Sequence, residues 1–280
     1  MTDFPEIDLD FPNPVAEAPS EPTWRRFTAD DEGALDAAVA AVRAGECVVM
    51  PTDTVYGIGA DAFSSAAVQR LLDAKKRSAD MPPPVLIAEP GMLRALTADT
   101  PQAALDLAKA FWPGALTLIL KAQRTLHLQI GETGGTVAVR VPDQAWARDL
   151  LRRTGPLAVS SANISGEPAA TTVDEAIEQL GNAVSVYLDG GGSHGGVAST
   201  IIDFTQGEGH VVRQGVLSFD ALVAVAPGLH ALAVPEPEPD ADAATEPEPE
   251  ALPETPAEPE APAEMWGGPA VASDESVPKA

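Results

Sequence analysis

Cysteine is nearly missing. Cys47 is the one such residue in 280, so no internal disulfide can form, and the chain suits a reducing compartment. Because Cys47 sits inside an apolar run, a buried small hydrophobe is the simpler reading than a nucleophile. Positive charge is scarce too, with 17 Lys and Arg against 42 Asp and Glu and a formal net charge of −25. No apolar run reaches membrane-spanning length. The acidic start holds no basic segment followed by an apolar core, so no secretory signal is visible, and a soluble cytoplasmic protein is expected. The sequence has no GxxxxGK[ST] phosphate loop, no CxxC pair and no HExxH helix. His127, His194, His210 and His230 are scattered without metal spacing. Gly57-Ile58-Gly59 lacks the third glycine of a dinucleotide fingerprint.

What is present divides unevenly. Residues 1–22 carry six acids, no Lys or Arg, and prolines at 5, 12, 14, 19 and 22. Residues 235–280 carry thirteen acids, one Lys and a repetitive Pro-Glu-Ala texture. Such segments lack the apolar mass to offset chain entropy. Disordered acidic extensions are therefore expected over 1–22 and 229–280, with one folded domain over 23–228. Removing the −6 and −12 of residues 1–22 and 235–280 from −25 leaves −7 for residues 23–234.

Along the middle, Thr28 and Asp31 have capping-box spacing ahead of a helix through Leu35, Val39 and Val42, which Gly45 ends. A strand at 46–50 breaks at Pro51 into the loop PTDTVYG and a small, flexible GIGAD passage. Ser64 or Ser65 caps the next helix. Pro82 to Pro84 lead into a strand over Val85 to Ala88. A helix from about Pro101 to Trp112 precedes a strand over Leu116 to Leu120. In TVAVRVP (136–142) the valines at 137, 139 and 141 point one way, with Ala138 and Arg140 opposite. That Arg either borders solvent or reaches a ligand. A helix follows from Asp143 to about Arg153, then a strand LAVSSAN (157–163). Thr171 or Thr172 caps a helix to Leu180. Strands at 184–188, 199–204 and 210–213 follow, with DGGGSHGG as a glycine connection. The alternation predicts an α/β fold with a mixed, twisted sheet and helices on both sides.

The candidate site residues lie in loops and at strand ends. The strand, polar loop and helix over Val48 to Arg77 form an arrangement where open α/β sheets place ligands; an ordinary connection with a basic helix end reads the same. Lys75 and Arg77 would diverge by about 200° on a continuing helix, so they converge only if the helix ends there. Ser161 and Asn163, two apart, share a side if extended. Arg140 suits bidentate recognition of a carboxylate or phosphate. Ser199 and Thr200 open a strand and Arg213 closes another. Together they suggest a site for a multiply charged anion without naming it.

PTDTVYGIGADA, Lys75-Lys76-Arg77, FWPGALTL, VAVRVPD, SSANISGEPA, and STIID followed by VVRQG occur in an order that resembles the YrdC-type threonylcarbamoyl-adenylate synthases, over about residues 30–220. The resemblance implies the YrdC-like fold with a concave basic cavity. It implies conversion of L-threonine, bicarbonate and ATP into threonylcarbamoyl-AMP and pyrophosphate, for modifying adenosine beside the anticodon of certain tRNAs. It further implies Lys75 and Arg77 as catalytic residues, which with Thr136, Ser161, Asn163 and Arg213 hold ATP with Mg2+. Thr52, Tyr56, Arg140 and Ser199 would hold threonine, with Arg140 taking its carboxylate. Met81-Pro82-Pro83 stands where many relatives carry a Lys or Asn before Pro-Leu. The downstream partner implied is the tRNA threonylcarbamoyl-transfer machinery, with at most a weak contact to tRNA or double-stranded RNA. Two other functions are associated with this fold. One is a non-catalytic RNA-binding module, disfavoured by the acidic balance of the folded part. The other, carbamoyl transfer in hydrogenase maturation, needs acylphosphatase and zinc-finger segments that a single Cys does not supply.

Overall fold

Short apolar runs cut by Gly and Pro form the strands of this protein, and stretches with apolar residues at helical spacing form its helices. The computed structural model describes residues 21–78, 81–193 and 196–232. In chain order, β1 (Arg25–Thr28) leads to α1 (Ala34–Arg43), β2 (Val48–Met50), β3 (Gly57–Asp61) and α2 (Ser65–Ala74). The two-residue β4 (Val85–Leu86) precedes α3 (Leu93–Leu96), α4 (Gln102–Phe111), β5 (Leu116–Lys121) and β6 (Thr136–Arg140). Then come α5 (Ala145–Thr154), β7 (Leu157–Ser161), α6 (Val173–Leu180) and β8 (Val186–Asp189). The series ends with β9 (Thr200–Asp203), β10 (His210–Arg213) and α7 (Phe219–Val225).

All ten strands join one mixed sheet in the order β1-β8-β2-β3-β7-β4-β6-β5-β9-β10. β4 pairs antiparallel with β7 through Val85–Ala158 and Leu86–Leu157, and parallel with β6 through Val85–Val139 and Leu86–Arg140. This short strand splices two wings, β1-β8-β2-β3-β7 and β6-β5-β9-β10. Alternation sends successive side chains to opposite faces. Val48 and Met50 pack under α1 and α5 with Leu150, Leu157 and Val186. Val49, Ile58, Leu118 and Val139 pack on the other side with Leu71, Leu107, Ala176 and Leu222 of α2, α4, α6 and α7. Each large side chain so removed from water contributes roughly 1.5–3 kcal/mol. Helices on both sides of a mixed sheet match the sequence expectation.

Several expectations need correction. The GIGAD passage is not a flexible loop but β3, paired with β2 and β7. Its glycines answer to packing: a Cβ on Gly57 would lie 2.8 Å from Val159 Cγ1, and one on Gly59 2.9 Å from Met50 Cε. Thr28 and Asp31 do interact, the Asp31 carboxylate accepting from the Thr28 N–H at 2.6 Å and its hydroxyl at 3.0 Å. They close a turn after β1, however, and α1 starts later, with Gly33 (φ 83°) at its N-cap. Asp143 does not open α5; Gln144 caps it through its side-chain oxygen, while the Asp143 N–H goes to Asp53. Strand β4 stops at Leu86 rather than Ala88. β1, α3 and α7 were not foreseen at all.

Ser64 caps α2, and Thr172 caps α6 with Glu175 in a full capping box. Val137, Val139 and Val141 are buried in the larger core, as the parity of β6 requires. Cys47 is 1% exposed, and burial pushes its thiol up to about 12, which suits packing rather than catalysis. The expected extensions 1–22 and 229–280 fall mostly outside the described residues. At the boundary the domain continues past 228: Leu229 is buried, and the backbone of His230 bonds to Gly209 and Val211.

Candidate active site

The loop between β2 and β3 folds over to meet β6, so the site is built across the splice between the wings. Thr52 Oγ1 donates to Val55 O at 2.5 Å and lies 3.1 Å from Thr54 Oγ1. Arg140 Nη1 donates to that same Thr54 hydroxyl at 3.0 Å, and its Nη2 meets Asp53 Oδ1 at 2.6 Å. The third contact runs from Nε to Gly114 O at 3.0 Å. Asp53 is itself fixed by the Asp143 N–H at 2.9 Å. Three of the five guanidinium N–H groups are thus engaged, leaving one on each Nη for a bidentate acceptor. Burial pulls the Arg140 pKa below its ordinary value, Asp53 opposes that, and the charge of Arg213 adds to it. A buried guanidinium with a second cation nearby favours an incoming anion.

Register brings Ser199 to the same place. The β5–β6 pairing ends at Leu118–Val139, and Thr117 and Arg140 are the next residues along each strand. Thr117 Oγ1 is 2.9 Å from Ser199 Oγ. Arg213 then clasps Ser199 twice, Nε to the carbonyl and Nη2 to the hydroxyl, each at 3.0 Å. Burial lowers the Arg213 pKa as well.

A second cluster gathers at the end of β7. α2 ends at Ala74, and Lys76 takes the left-handed conformation (φ 51°), so Lys75 and Arg77 escape the helical divergence. Lys75 is 2% exposed. Its ammonium donates to Ser161 O at 2.5 Å, Asn163 O at 2.7 Å and Asn163 Oδ1 at 3.3 Å. All three N–H groups therefore clasp the chain after β7. Burial first, and Arg77 second, lower its pKa to about 8. Arg77 reaches Ser160 Oγ at 3.3 Å and Met81 O at 2.7 Å. The Met81 position thus takes part through its backbone.

Two of the expected residues stand differently. The Tyr56 side chain is fully buried; its hydroxyl donates to Gly191 O at 2.5 Å and accepts from the Gly190 N–H at 3.1 Å. It tethers the glycine connection after β8. Thr136 lies on the Arg140 side of β6 but four residues away, about 13 Å at strand rise, with its hydroxyl on Thr133 O. A hollow of about 400 Å3 opens beside Thr52 and Asp53, walled by Asp143, Gln144 and Gly190 to Ser193. Among the described residues no Lys or Arg lines it, so the basic charge of the site belongs to the buried clusters rather than to this hollow. The sequence offers Asp53 and Thr54 in the same loop as Thr52 and Tyr56 but assigns them no role, and it does not single out Thr117 or Ser160. The first two lie inside the PTDT run, but only the fold reveals Thr117 and Ser160.

The family model for Sua5, YciO and YrdC, described as "Telomere recombination", matches residues 40–215. The chain belongs to this family. A Mycobacterium leprae protein, provisionally named as a threonylcarbamoyl-AMP synthase, is 49% identical over 191 residues, covering 68% of this chain and 87% of its own. The threonylcarbamoyl-AMP synthase of Bacillus subtilis is 38% identical over 195 residues, 69% of this chain and 56% of that one. Among solved structures, Pyrococcus abyssi Sua5 complexed with L-threonine superposes with a TM-score of 0.69 at 37% identity. It covers 74% of this chain and 61% of the Pyrococcus chain. Escherichia coli YciO gives 0.64 at 25%, covering 71% and 99%. The matched span, residues 40–215, contains both clusters above, and the mixed sheet flanked by helices is shared with these structures.

Proposed function

We propose that this protein makes threonylcarbamoyl-AMP and pyrophosphate from L-threonine, bicarbonate or CO2, and ATP. The observation that carries the reading is Arg140, buried, gripped by Asp53 and Thr54, and still holding one N–H on each Nη. The threonine carboxylate takes those two donors. Thr52 lies within the same network through Thr54, and the Ser199–Thr117 hydroxyl pair is held by Arg213, whose charge reaches Arg140. The threonine amine takes up CO2 as a carbamate. A carbamate oxygen attacks the α-phosphorus, and the bond to the pyrophosphate oxygen breaks. The chemistry needs alignment and charge neutralisation rather than a protein nucleophile, which agrees with a site rich in cations and hydroxyls.

Lys75 and Arg77 face the triphosphate, with Ser161 and Asn163 contributing neutral groups, Arg213 near the nucleotide and Thr136 farther along β6. Lys75 acts first by shaping the chain that carries Ser161 and Asn163 and second by its charge. Around this cluster the oxygens are carbonyls, an amide and hydroxyls. That set suits an ion arriving with ATP, since Mg2+ binds through substrate phosphates and few protein oxygens. When bound, Mg2+ would neutralise phosphate charge, and Ser161 and Asn163 are the residues that would lie beside it. No helix among the described residues is long and apolar enough to cross a membrane. We place the reaction in the cytoplasm, upstream of tRNA threonylcarbamoyl transfer.

Pyrophosphate release from ATP, measured with threonine and bicarbonate each omitted in turn, tests the proposal. Release that requires both supports it. Release indifferent to threonine overturns it.

A further inference from the structure

Away from the active site, the turn between β9 and β10 places two imidazoles and a carboxylate together. His210 opens β10, and residue 230 lies alongside it in a parallel bridge. The His230 N–H donates to Gly209 O at 2.8 Å, and the Val211 N–H donates to His230 O at 2.9 Å. These two backbone bonds straddle His210 and set the rings side by side, stacked at 4.5 Å and 12°. Gly209 is required for this seating. A Cβ there would strike Leu229 Cδ2 at 2.3 Å and Phe204 Cε1 at 2.7 Å. Leu229 is thus pressed into the turn, and His230 follows it.

Glu208 completes the group, with Oε2 3.1 Å from His230 Nε2. One ligand atom from each of Glu208, His210 and His230 lies within 4.8 Å of the others, and all three residues are exposed. Ligands 2.0–2.2 Å from a tetrahedral zinc ion stand roughly 3.4 Å apart, so the set converges on one ion once the two exposed rings turn out of their stack. Imidazole nitrogen with carboxylate oxygen selects zinc-class divalent ions over Mg2+ and Ca2+, which take oxygen alone. The surplus of acids in the folded part adds long-range attraction for a cation.

We propose that Glu208, His210 and His230 form a surface site for a zinc-class divalent ion, with water completing the coordination. The ion clips the end of the folded domain, just before the acidic C-terminal stretch, to edge strand β10. It is distinct from the Mg2+ that accompanies ATP, since none of the three residues belongs to the nucleotide or threonine clusters.

The test titrates the metal-free, full-length protein with Zn2+ against a chromogenic zinc indicator, without nucleotide, alongside His210→Ala, His230→Ala and Glu208→Gln. One equivalent bound by the parent, its loss in either His variant and at least tenfold weaker binding in Glu208→Gln are expected. Zn2+ should raise the melting temperature of the parent but not of H210A. Threonine-dependent pyrophosphate release should be the same in all four proteins, showing that each is folded. No stoichiometric binding by the parent overturns the proposal. So does an equivalent retained by the double variant H210A/H230A, which would assign the ion to carboxylates elsewhere.

Discussion

Arg140 shows how one side chain links stability to chemistry. Its side chain is 9% exposed, that of Asp53 15%, and removing the carboxylate strands a buried guanidinium. Asp53→Ala should lower unfolding free energy by about 3 kcal/mol or more, read as a shift of the urea midpoint. Arg140→Lys keeps the charge but loses the planar fork. Its kcat/KM for threonine should fall by a factor matching roughly 1.5–3 kcal/mol, with KM for ATP little changed; an unaltered threonine dependence would remove Arg140 from the site. Lys75 is the pH-sensitive member. Its folded pKa is about 8 against an ordinary 10.5. Below about 8 both folded and unfolded states hold the proton, and the fold carries the full cost of the buried charge. Between 8 and 10.5 the unfolded state holds more protons, so this residue makes stability rise with pH across that window. Triphosphate favours the charged form, so MgATP binding at pH 9 should draw in a proton. Calorimetry in buffers of different ionisation enthalpy measures this, and a buffer-independent enthalpy would contradict it.

At the scale of elements, β3 teaches most. Gly57→Ala inserts a methyl group against Val159 and brings it 3.6 Å from Thr52 Cγ2. Overpacking of this kind costs typically 1–3 kcal/mol, so a lower melting temperature with a raised KM for threonine is expected. An unchanged melting temperature would mean that Val159 yields freely. The same strand marks the limit of sequence reading. Apolar strands such as β2, β5 and β6 announce themselves by composition and alternation, and α2 and α6 by their caps. A strand of small residues has no such signature, since its glycines serve neighbours that only the fold supplies. The site was legible in part for a related reason. Lys75, Arg77, Arg140 and Ser161 stand in recognisable motifs, whereas the Thr117–Ser199 contact depends on β5 lying parallel to β9. Tyr56 was legible as a residue but not as a tether, because its partners Gly190 and Gly191 come from a strand end far along the chain.

For the whole molecule, the family match ends well inside the sequence, at residues 40 and 215, and every expected site residue falls between those limits. A chain cut to residues 21–232 should therefore keep the melting temperature and threonine-dependent pyrophosphate release of the parent within about twofold. A large loss would assign the removed stretches a part in catalysis. The deeper point at this scale concerns the two-residue strand β4. Within the sheet, among the described residues, the wing with the PTDT loop and the wing with Arg140 are spliced through Val85 and Leu86. The proposed amino-acid grip crosses the same splice, from Arg140 to Asp53 and Thr54. If the proposed grip holds threonine, its fit depends on how β4 sets one half-sheet against the other. A substitution at Val85, buried and touching no proposed ligand, should then alter KM for threonine as a turn of the peg retunes a string.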